Sequence, residues 1–303
     1  MATMPGVVGG PEPVQYRTAV LDGASGARTD AAELYLDLLK RCLTRTLHED
    51  PYRRIDPMRR TWKRAGYRAY LPLHKALSRA GVELVRVVGA NGRSDGRDVP
   101  ALAETMVGLE RLDNLHACIR GVLEQNVPGD LLEAGVWRGG ASIFMRAALE
   151  AYGDEERVVW AADSFAGLPP PDADRYPDDQ GDTFYRNPHL AISVEQVAEN
   201  FQRYGLLDER VRFLEGWFRD TLPHAPVDRV AVLRLDGDMY ESTIVALEAL
   251  YDKVLPGGYV IVDDYFAVPT GAGRATDDFR RARGIEEELV RIDWAGAYWK
   301  RLR

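Results

Sequence analysis

The chain has 303 residues, 46% of them hydrophobic and 28% charged, which is the composition of a globular protein rather than a fibrous or disordered one. Its 47 acidic and 39 basic residues give a net charge of −8, which argues against general nucleic-acid binding because phosphate contacts supply most of that affinity. The two cysteines, Cys42 and Cys118, cannot build a disulfide framework, and no apolar run reaches the length of a membrane span. We therefore expect a cytoplasmic protein whose partners include neither nucleic acid nor a membrane.

The first 125 residues predict a helical region that follows a leader. Residues 1–29 are rich in glycine and proline, and we expect them to be disordered. Asp30 is a suitable N-cap for a first helix. Its broad apolar face is formed by Leu34, Leu36, Leu38, Leu39, Cys42 and Leu43. A second helix is predicted from Val107 to Leu123, so residues 30–125 form a helical N-terminal or cap region.

A basic insertion, residues 51–98, separates these two helices. It contains twelve basic and four acidic residues, a net charge of +8, with interleaved aromatic side chains. Three interpretations remain open: a solvated helical face, a segment that docks on an acidic surface of the core or of a second subunit, or a contact for an acidic acceptor or partner. We expect the protein to form a homo-oligomer, a dimer or larger.

From residue 126 to the C terminus, strands and helices alternate. Strands are predicted at 130–135, 158–163, 211–215, 230–236, 259–263, 289–292 and 297–301, and helices at 141–152, 194–204, 241–250 and 277–283. This alternation predicts a doubly wound α/β fold with a mainly parallel sheet. The last two strands are too close in sequence for a helical crossover and should therefore be antiparallel.

The first strand of this region ends in a glycine-rich turn. Glu133 lies in the strand, Gly135 follows it, and Ser142 lies at the start of the next helix. Ligands of open α/β sheets bind beyond the carboxyl ends of strands, and a helix start offers free N–H groups. The pattern favours a nucleotide-like ligand, although a tight turn without a ligand remains an alternative. The G-x-G-x-x-G spacing of nicotinamide-binding proteins is missing.

The second strand ends at Asp163, 28 residues after Gly135. An acidic residue at this position can accept hydrogen bonds from both ribose hydroxyls of an adenosine. The alternative is a helix N-cap. The glycine turn ahead of it favours the role in ligand binding.

Four aspartates follow two later strands. Asp236 and Asp238 end one strand, and Asp263 and Asp264 end the next, 27 residues further on. Neighbouring parallel strands would bring these carboxylates to one edge of the sheet. Clustered carboxylates without cysteine or histidine suit a hard cation, Mg²⁺ above all. The alternative is a set of separate N-caps and surface acids.

Five segments together resemble the macrocin O-methyltransferase family: LLEAGVWRGG at 131–140, DSFAGLP at 163–169, FLEGWFRDTLP at 213–223, LRLDGDMYEST at 233–243 and GYVIVDDY at 258–265. The similarity covers about residues 35–50 and 103–303. It implies a Rossmann-like class I methyltransferase domain at 126–303, with a seven-stranded, mostly parallel sheet and an antiparallel last strand. It also implies an enzyme that depends on S-adenosylmethionine and Mg²⁺. Such an enzyme would methylate a hydroxyl of a deoxysugar that is attached to an antibiotic or another secondary metabolite.

The resemblance assigns roles to individual residues. The expected cofactor contacts are Thr105, Met106, Glu133, Gly135, Ser142, Asp163, Ser164, Gly216, Trp217 and Asp236. The expected metal ligands are Asp236, Asp263 and Asp264. Asp238 is the first choice for the general base, and Asp236 is the second. We interpret the polar segment Pro170–Ala191 as a lid, with a disordered surface loop as the alternative.

Two other functions are compatible with parts of the pattern. Asp236-Gly237-Asp238 is an Asp-x-Asp motif, which a metal-dependent nucleotide-sugar glycosyltransferase would use. Such an enzyme would not need the glycine turn or Asp163. A non-catalytic module that binds S-adenosylmethionine is the third hypothesis, and the carboxylates at all the expected strand ends argue against it.

Overall fold

The computed structural model describes residues 30–47, 100–267 and 271–303, together with the short pieces 52–54, 72–73, 75–77, 79–82, 84–87 and 93–97. The predicted leader and most of the basic insertion lie outside the described residues. No helix within the described ranges is long and apolar enough to cross a membrane.

A seven-stranded sheet organises the described chain. Strands β1 (Tyr52–Arg54) and β2 (Val85–Val87) form a separate antiparallel pair. The sheet itself contains β3 (Asp130–Ala134), β4 (Val159–Asp163), β5 (Val211–Glu215), β6 (Val230–Leu235), β7 (Val254–Val262), β8 (Val290–Arg291) and β9 (Ala297–Lys300), in the spatial order β5-β4-β3-β6-β7-β9-β8. Strands β3 to β7 are parallel, and β9 is antiparallel to both of its neighbours. The predicted mostly parallel sheet with an antiparallel closing strand is confirmed.

Helices cover both faces of this sheet. They are α1 (Ala31–Leu43), α2 (Leu109–Glu124), α3 (Gly140–Ala151), α4 (Val194–Arg203), the short α5 (Phe218–Thr221), α6 (Tyr240–Leu250) and α7 (Ala272–Arg283). Successive strand residues point to opposite faces, so Leu131 packs in a core with α1 to α4, and Leu132 packs in a second core with α6 and α7. Because α1 and α2 share their core with α3, the N-terminal helices and the sheet are packed as one unit, and the proposed domain boundary at residues 125/126 stays a prediction.

The helix starts follow local sequence signals. The Asp30 carboxylate accepts a hydrogen bond from the Ala32 N–H at 3.3 Å, and the Ser193 hydroxyl oxygen accepts one from the Gln196 N–H at 3.3 Å. Asp30 is the predicted N-cap, and Ser193 directly precedes the helix predicted at 194–204. Two other predicted starts are wrong, because α7 begins five residues before 277 and β7 begins five residues before 259.

The error at β7 has a clear physical cause. Pro256-Gly257-Gly258 reads as a turn, but the chain passes through it within the strand, and the register against β6 shifts there. Gly257 has a φ of +92° and donates its N–H to the Arg301 carbonyl oxygen at 2.7 Å. The glycines therefore form an irregularity within the strand rather than an end of it.

Gly135 allows the ends of β3 and β6 to approach each other. Its φ is +95°, and a Cβ added there would overlap the backbone oxygen of Asp236. A glycine is thus required on two grounds, backbone conformation and space. This contact brings the glycine turn after β3 against the strand end that carries Asp236.

A pair of glycine substitutions separates these two grounds. We expect Gly153→Ala to lower the free energy of unfolding by about 1 kcal/mol, because Gly153 has a positive φ of +71° but no atom within 4 Å of an added Cβ. Gly135→Ala should lower the free energy of unfolding clearly more than Gly153→Ala does, since backbone atoms of Asp236 must also move. Urea unfolding of both variants measures the difference, and equal losses would contradict the steric argument.

Candidate active site

A cleft opens at the carboxyl ends of β3, β4 and β6. Its wall contains six of the ten expected cofactor residues, namely Met106, Gly135, Asp163, Ser164, Trp217 and Asp236, and it also contains Asp238. Gly135, Asp163, Asp236 and Asp238 therefore meet in one cavity, whereas Asp263 and Asp264 do not form part of its wall.

Asp163 fixes the turn that follows β3. Its Oδ2 accepts hydrogen bonds from the backbone N–H groups of Val136 at 2.7 Å and Trp137 at 3.4 Å, and its Oδ1 accepts one from Phe165 at 2.8 Å. Burial raises the pKa of the Asp163 carboxyl, while these N–H donors act in the opposite direction. The carboxylate thus ties together the ends of two neighbouring strands at the floor of the cleft.

Glu133 and Ser142 lie behind the cleft wall in a fully buried cluster. The Ser142 hydroxyl and the Arg234 guanidinium both donate hydrogen bonds to the Glu133 carboxylate. Burial raises the pKa of Glu133 to about 7, with Arg234 and Ser142 opposing the shift. Strand register explains the pairing, because Glu133 on β3 lies opposite Arg234 on β6.

Thr105 and Gly216, the other two predicted cofactor residues outside the wall, lie beside it. Thr105 is buried, and its hydroxyl oxygen accepts the Val107 N–H at 3.2 Å. A Cβ added at Gly140 would lie 2.6 Å from the Thr105 Cβ, so the segment ahead of α2 covers the start of α3. Gly216 donates its N–H to the Asp163 carbonyl oxygen at 2.9 Å.

The predicted metal ligands form one cluster. Asp236, Asp263 and Asp264 each offer a carboxylate oxygen, and these oxygens lie within 4.8 Å of one another. Desolvation, with the charge of Asp263 second, raises the pKa of Asp236. Burial and the neighbouring aspartates also raise the pKa of Asp264. A hard cation would relieve this repulsion, and oxygen donors are the ligands that Mg²⁺ prefers.

Two arginines that the sequence reasoning missed hold Asp263. Arg234 donates to Asp263 Oδ1, and Arg111 on α2 donates to Oδ2. Although burial acts in the opposite direction, these two guanidinium groups lower the pKa of Asp263. Arg111 in turn pairs through its Nε with Asp293 at 3.0 Å. Arg234 had a detectable signal, since it is the charged residue in the otherwise apolar strand Val230–Leu235, whereas nothing in α2 indicates a role for Arg111.

Asp238 has an unusual backbone for a residue other than glycine. Its φ is +58°, and the Met239 N–H donates across it to the Gly237 carbonyl oxygen at 2.5 Å. This is a γ-turn of the strained type with a positive φ at its centre. Desolvation, followed by the charges of Asp236 and Asp263, raises the pKa of Asp238 to about 8.

The segment Pro170–Ala191 contains three short 3₁₀ helices, Pro177–Asp179, Phe184–Arg186 and Pro188–Leu190. Leu190 forms part of the cleft wall. The Trp137 indole N–H donates to the His189 carbonyl oxygen at 2.8 Å. These contacts place the segment at the cleft as a lid would lie, and its function as a lid stays a prediction.

The end of the basic insertion also contacts the core. Arg93 is buried and donates to the Met106 carbonyl oxygen at 2.8 Å, next to the cleft. The Arg97 guanidinium lies 4.8 Å from the centre of the Trp294 ring. Within the described residues, this part of the insertion contacts its own chain through a backbone carbonyl oxygen and an aromatic ring, and docking on an acidic surface stays a prediction.

The buried Glu133–Arg234 pair gives a test of what stabilises this site. We expect Arg234→Met to lower the free energy of unfolding by about 3–5 kcal/mol, because Glu133 and Asp263 would stay buried without this cation. The double variant Glu133→Gln/Arg234→Met should lose less than the sum of the single variants. Arg203→Met, which removes an exposed pair with Glu199, is the control and should change stability little. Additive losses in urea unfolding would contradict the coupling.

Comparison with known proteins identifies the family. The Macrocin-O-methyltransferase (TylF) family matches residues 32–301. The demethyldecarbamoylnovobiocin O-methyltransferase of Streptomyces niveus is 45% identical over 285 residues, which are 94% of this chain and 99% of that protein. The 8-demethyl-8-(2,3-dimethoxy-alpha-L-rhamnosyl)-tetracenomycin-C 4'-O-methyltransferase of Streptomyces olivaceus is 46% identical over 272 residues, which are 89% of this chain and 94% of that protein.

A solved structure agrees with these sequence matches. The structure of the O-methyltransferase NovP superposes with a TM-score of 0.75 at 46% identity and covers 90% of this chain and 100% of that chain. Neither the glycosyltransferase hypothesis nor the non-catalytic binding module is favoured by these relatives. The family also implies S-adenosylmethionine as the methyl donor. The chain is an O-methyltransferase and belongs to the Macrocin-O-methyltransferase (TylF) family.

Proposed function

We propose that this O-methyltransferase methylates a hydroxyl of a deoxysugar on a glycosylated natural product, using S-adenosylmethionine and Mg²⁺. The observation that carries the proposal is the cluster of Asp236, Asp263 and Asp264, with oxygens within 4.8 Å of one another, beside a cleft built on the glycine turn. The tetracenomycin relative supports the acceptor class, because its name specifies 4'-O-methylation of a compound with a rhamnosyl group.

The cofactor would lie along the wall formed by Met106, Gly135, Asp163, Ser164 and Trp217. Gly135 lets the ligand approach the backbone, and the carboxylate of Asp163 is the group for the ribose hydroxyls. We assign Thr105, Glu133, Ser142 and Gly216 a supporting role in this binding, because they lie beside or behind the wall rather than line the cleft. Asp236 lies where the cofactor and the acceptor would meet.

The carboxylate cluster fits a magnesium ion. Its donors are all oxygens. Desolvation, and after it the charges of neighbouring aspartates, raises the pKa values of Asp236 and Asp264, and a bound cation would favour the charged form of both carboxylates. The bound ion would supply Lewis acidity, lowering the pKa of the acceptor hydroxyl. Both oxygens of Asp263 already accept hydrogen bonds from arginines, so we expect Asp236 and Asp264 to make the strongest contacts to the ion.

Asp238 is the better candidate for the general base. Asp236 Oδ2 accepts a hydrogen bond from Arg234 at 3.0 Å, which stabilises its charged form and makes it a weaker base. Desolvation, followed by the charges of Asp236 and Asp263, raises the pKa of Asp238 and so makes its carboxylate a stronger base. In the proposed reaction an Asp238 carboxylate oxygen accepts the hydroxyl proton, while the wall residues hold the two reactants in line and the segment Pro170–Ala191 excludes water.

Metal dependence tests the proposal. With a panel of deoxysugar glycosides and their aglycones, we expect methylated product from a glycoside and none from the matching aglycone. EDTA should lower the rate by about 100-fold or more, and added Mg²⁺ should restore it. Mass spectrometry measures the product, and calorimetry with S-adenosylhomocysteine is the control, since cofactor binding should survive EDTA. An undiminished rate in EDTA would remove the metal from the mechanism.

Two conservative variants separate the metal site from the base. We expect Asp238→Asn to lower kcat by about 100-fold or more with little change in Mn²⁺ affinity, because proton transfer is lost and the ion keeps its ligands. Asp264→Asn should instead weaken Mn²⁺ binding, measured by electron paramagnetic resonance. If Asp238→Asn keeps a wild-type kcat, the base role moves to Asp236.

A further inference from the structure

The start of α6 is capped by a residue from a distant segment. This helix begins at Tyr240, and its N-cap residue Met239 makes no side-chain capping bond. Asp179 fills that role, because its Oδ1 accepts the Tyr240 N–H at 2.7 Å and its Oδ2 accepts the Glu241 N–H at 2.9 Å. Both carboxylate oxygens thus accept hydrogen bonds from the first turn of α6, which begins 61 residues after Asp179 in the sequence. The Asp179 side chain is buried, with 3% of its surface exposed.

The turn that this cap restrains contains Asp238. The γ-turn at Asp238 ends at Met239, and the first capped N–H belongs to Tyr240. A residue other than glycine with a φ of +58° persists only where the surrounding structure determines its conformation. On one side the turn continues from β6, which the sheet fixes. On the other side it continues into the first turn of α6, and the carboxylate of Asp179 holds that turn.

Gly271 makes room for this arrangement. A Cβ added there would overlap the Tyr240 backbone nitrogen and lie 2.9 Å from Asp179 Oδ1. The φ of Gly271 is −82°, so an alanine would fit the backbone but would collide with Tyr240, the first residue of α6, and with the capping carboxylate. The packing of α7 against the start of α6 is therefore matched to the presence of the Asp179 carboxylate.

We propose that Asp179 is a positioning residue that keeps Asp238 in its reactive geometry by capping α6 from the segment Pro170–Ala191. The same segment supplies Leu190 to the cleft wall and a carbonyl acceptor for Trp137. When this segment is docked, it therefore completes the wall of the cleft and at the same time holds the turn that carries Asp238. The proposal rests on the proposed role of Asp238 as the general base, and it adds the residue that controls it.

Two alanine variants test the effect on catalysis. Asp179→Ala should lower kcat by about tenfold or more, because a small displacement of a reacting group is costly. The dissociation constant of S-adenosylhomocysteine should change much less, since Asp163 and the glycine turn stay in place. Asp178→Ala is the matched control, because Asp178 is exposed and adjacent, and it should behave as the wild type. Rates are compared at a temperature where circular dichroism shows each variant folded.

Hydrogen exchange tests the cap without relying on activity. The amides of Tyr240 and Glu241 should be protected in the wild type and should exchange faster in Asp179→Ala. Asp179→Asn should give intermediate protection and an intermediate kcat, since one amide oxygen can accept one of the two N–H groups. Gly271→Ala should reproduce the Asp179→Ala result from the opposite side of the cap, and it serves if Asp179→Ala does not fold.

The outcomes separate this proposal from the proposed function. Faster exchange at Tyr240 and Glu241 together with an unchanged kcat would overturn the positioning role. A loss of kcat matched by an equal loss of cofactor affinity would also overturn it, because that is the result of a merely structural residue. If Asp238→Asn keeps its kcat but Asp179→Ala loses it, the base assignment fails and Asp179 acts on a different group of the turn.

Discussion

The site depends on the guanidinium of Arg234. This side chain lies within the sheet and contacts Glu133, Asp236 and Asp263 at once. Burying carboxylates without a partner costs several kcal/mol each, so such a cluster needs an internal cation at its centre. The charges around Arg234 raise its pKa well above the usual arginine value, against the effect of burial, and it stays protonated. Because β3 and β6 pair in register, the sheet itself positions the cation between acids of neighbouring strands.

The arginines compensate the negative charge of the aspartates only in part, and the remaining charge suits the proposed chemistry. Arg234 and Arg111 satisfy Asp263, but the pKa values of Asp236, Asp238 and Asp264 remain raised, mainly by desolvation and by one another. Part of each rise comes from the negative charge of neighbouring aspartates, and that charge would attract a cation in the cleft. Two positive groups of the proposed reaction would meet it, the magnesium ion and the sulfonium of the methyl donor. Full neutralisation by a third arginine would stabilise the fold and remove that attraction.

Arg111 connects both ends of the described chain to this cluster. It lies on α2, contacts Asp263 after β7, and pairs with Asp293 in the loop between β8 and β9. Asp293 is itself fixed, because its Oδ1 accepts the N–H groups of Ala295 and Gly296. Helix α2 thus has a role in the site besides covering the sheet, and this gives a physical reason for the family match to include it.

These contacts also explain what could be predicted from the sequence. The meeting of Asp236, Asp263 and Asp264 follows from two strand ends and parallel order, so pattern alone predicts it. Arg111 and Asp179 could not be predicted, because their partners lie 152 and 61 residues away and no local period marks them. The proposed cofactor side of the cleft is built from a short turn and Asp163, whereas the long segment Pro170–Ala191 adds Leu190 to the wall. Because local bonds fix the proposed cofactor side, we expect substitutions in the long segment to change acceptor preference at the least cost to cofactor binding.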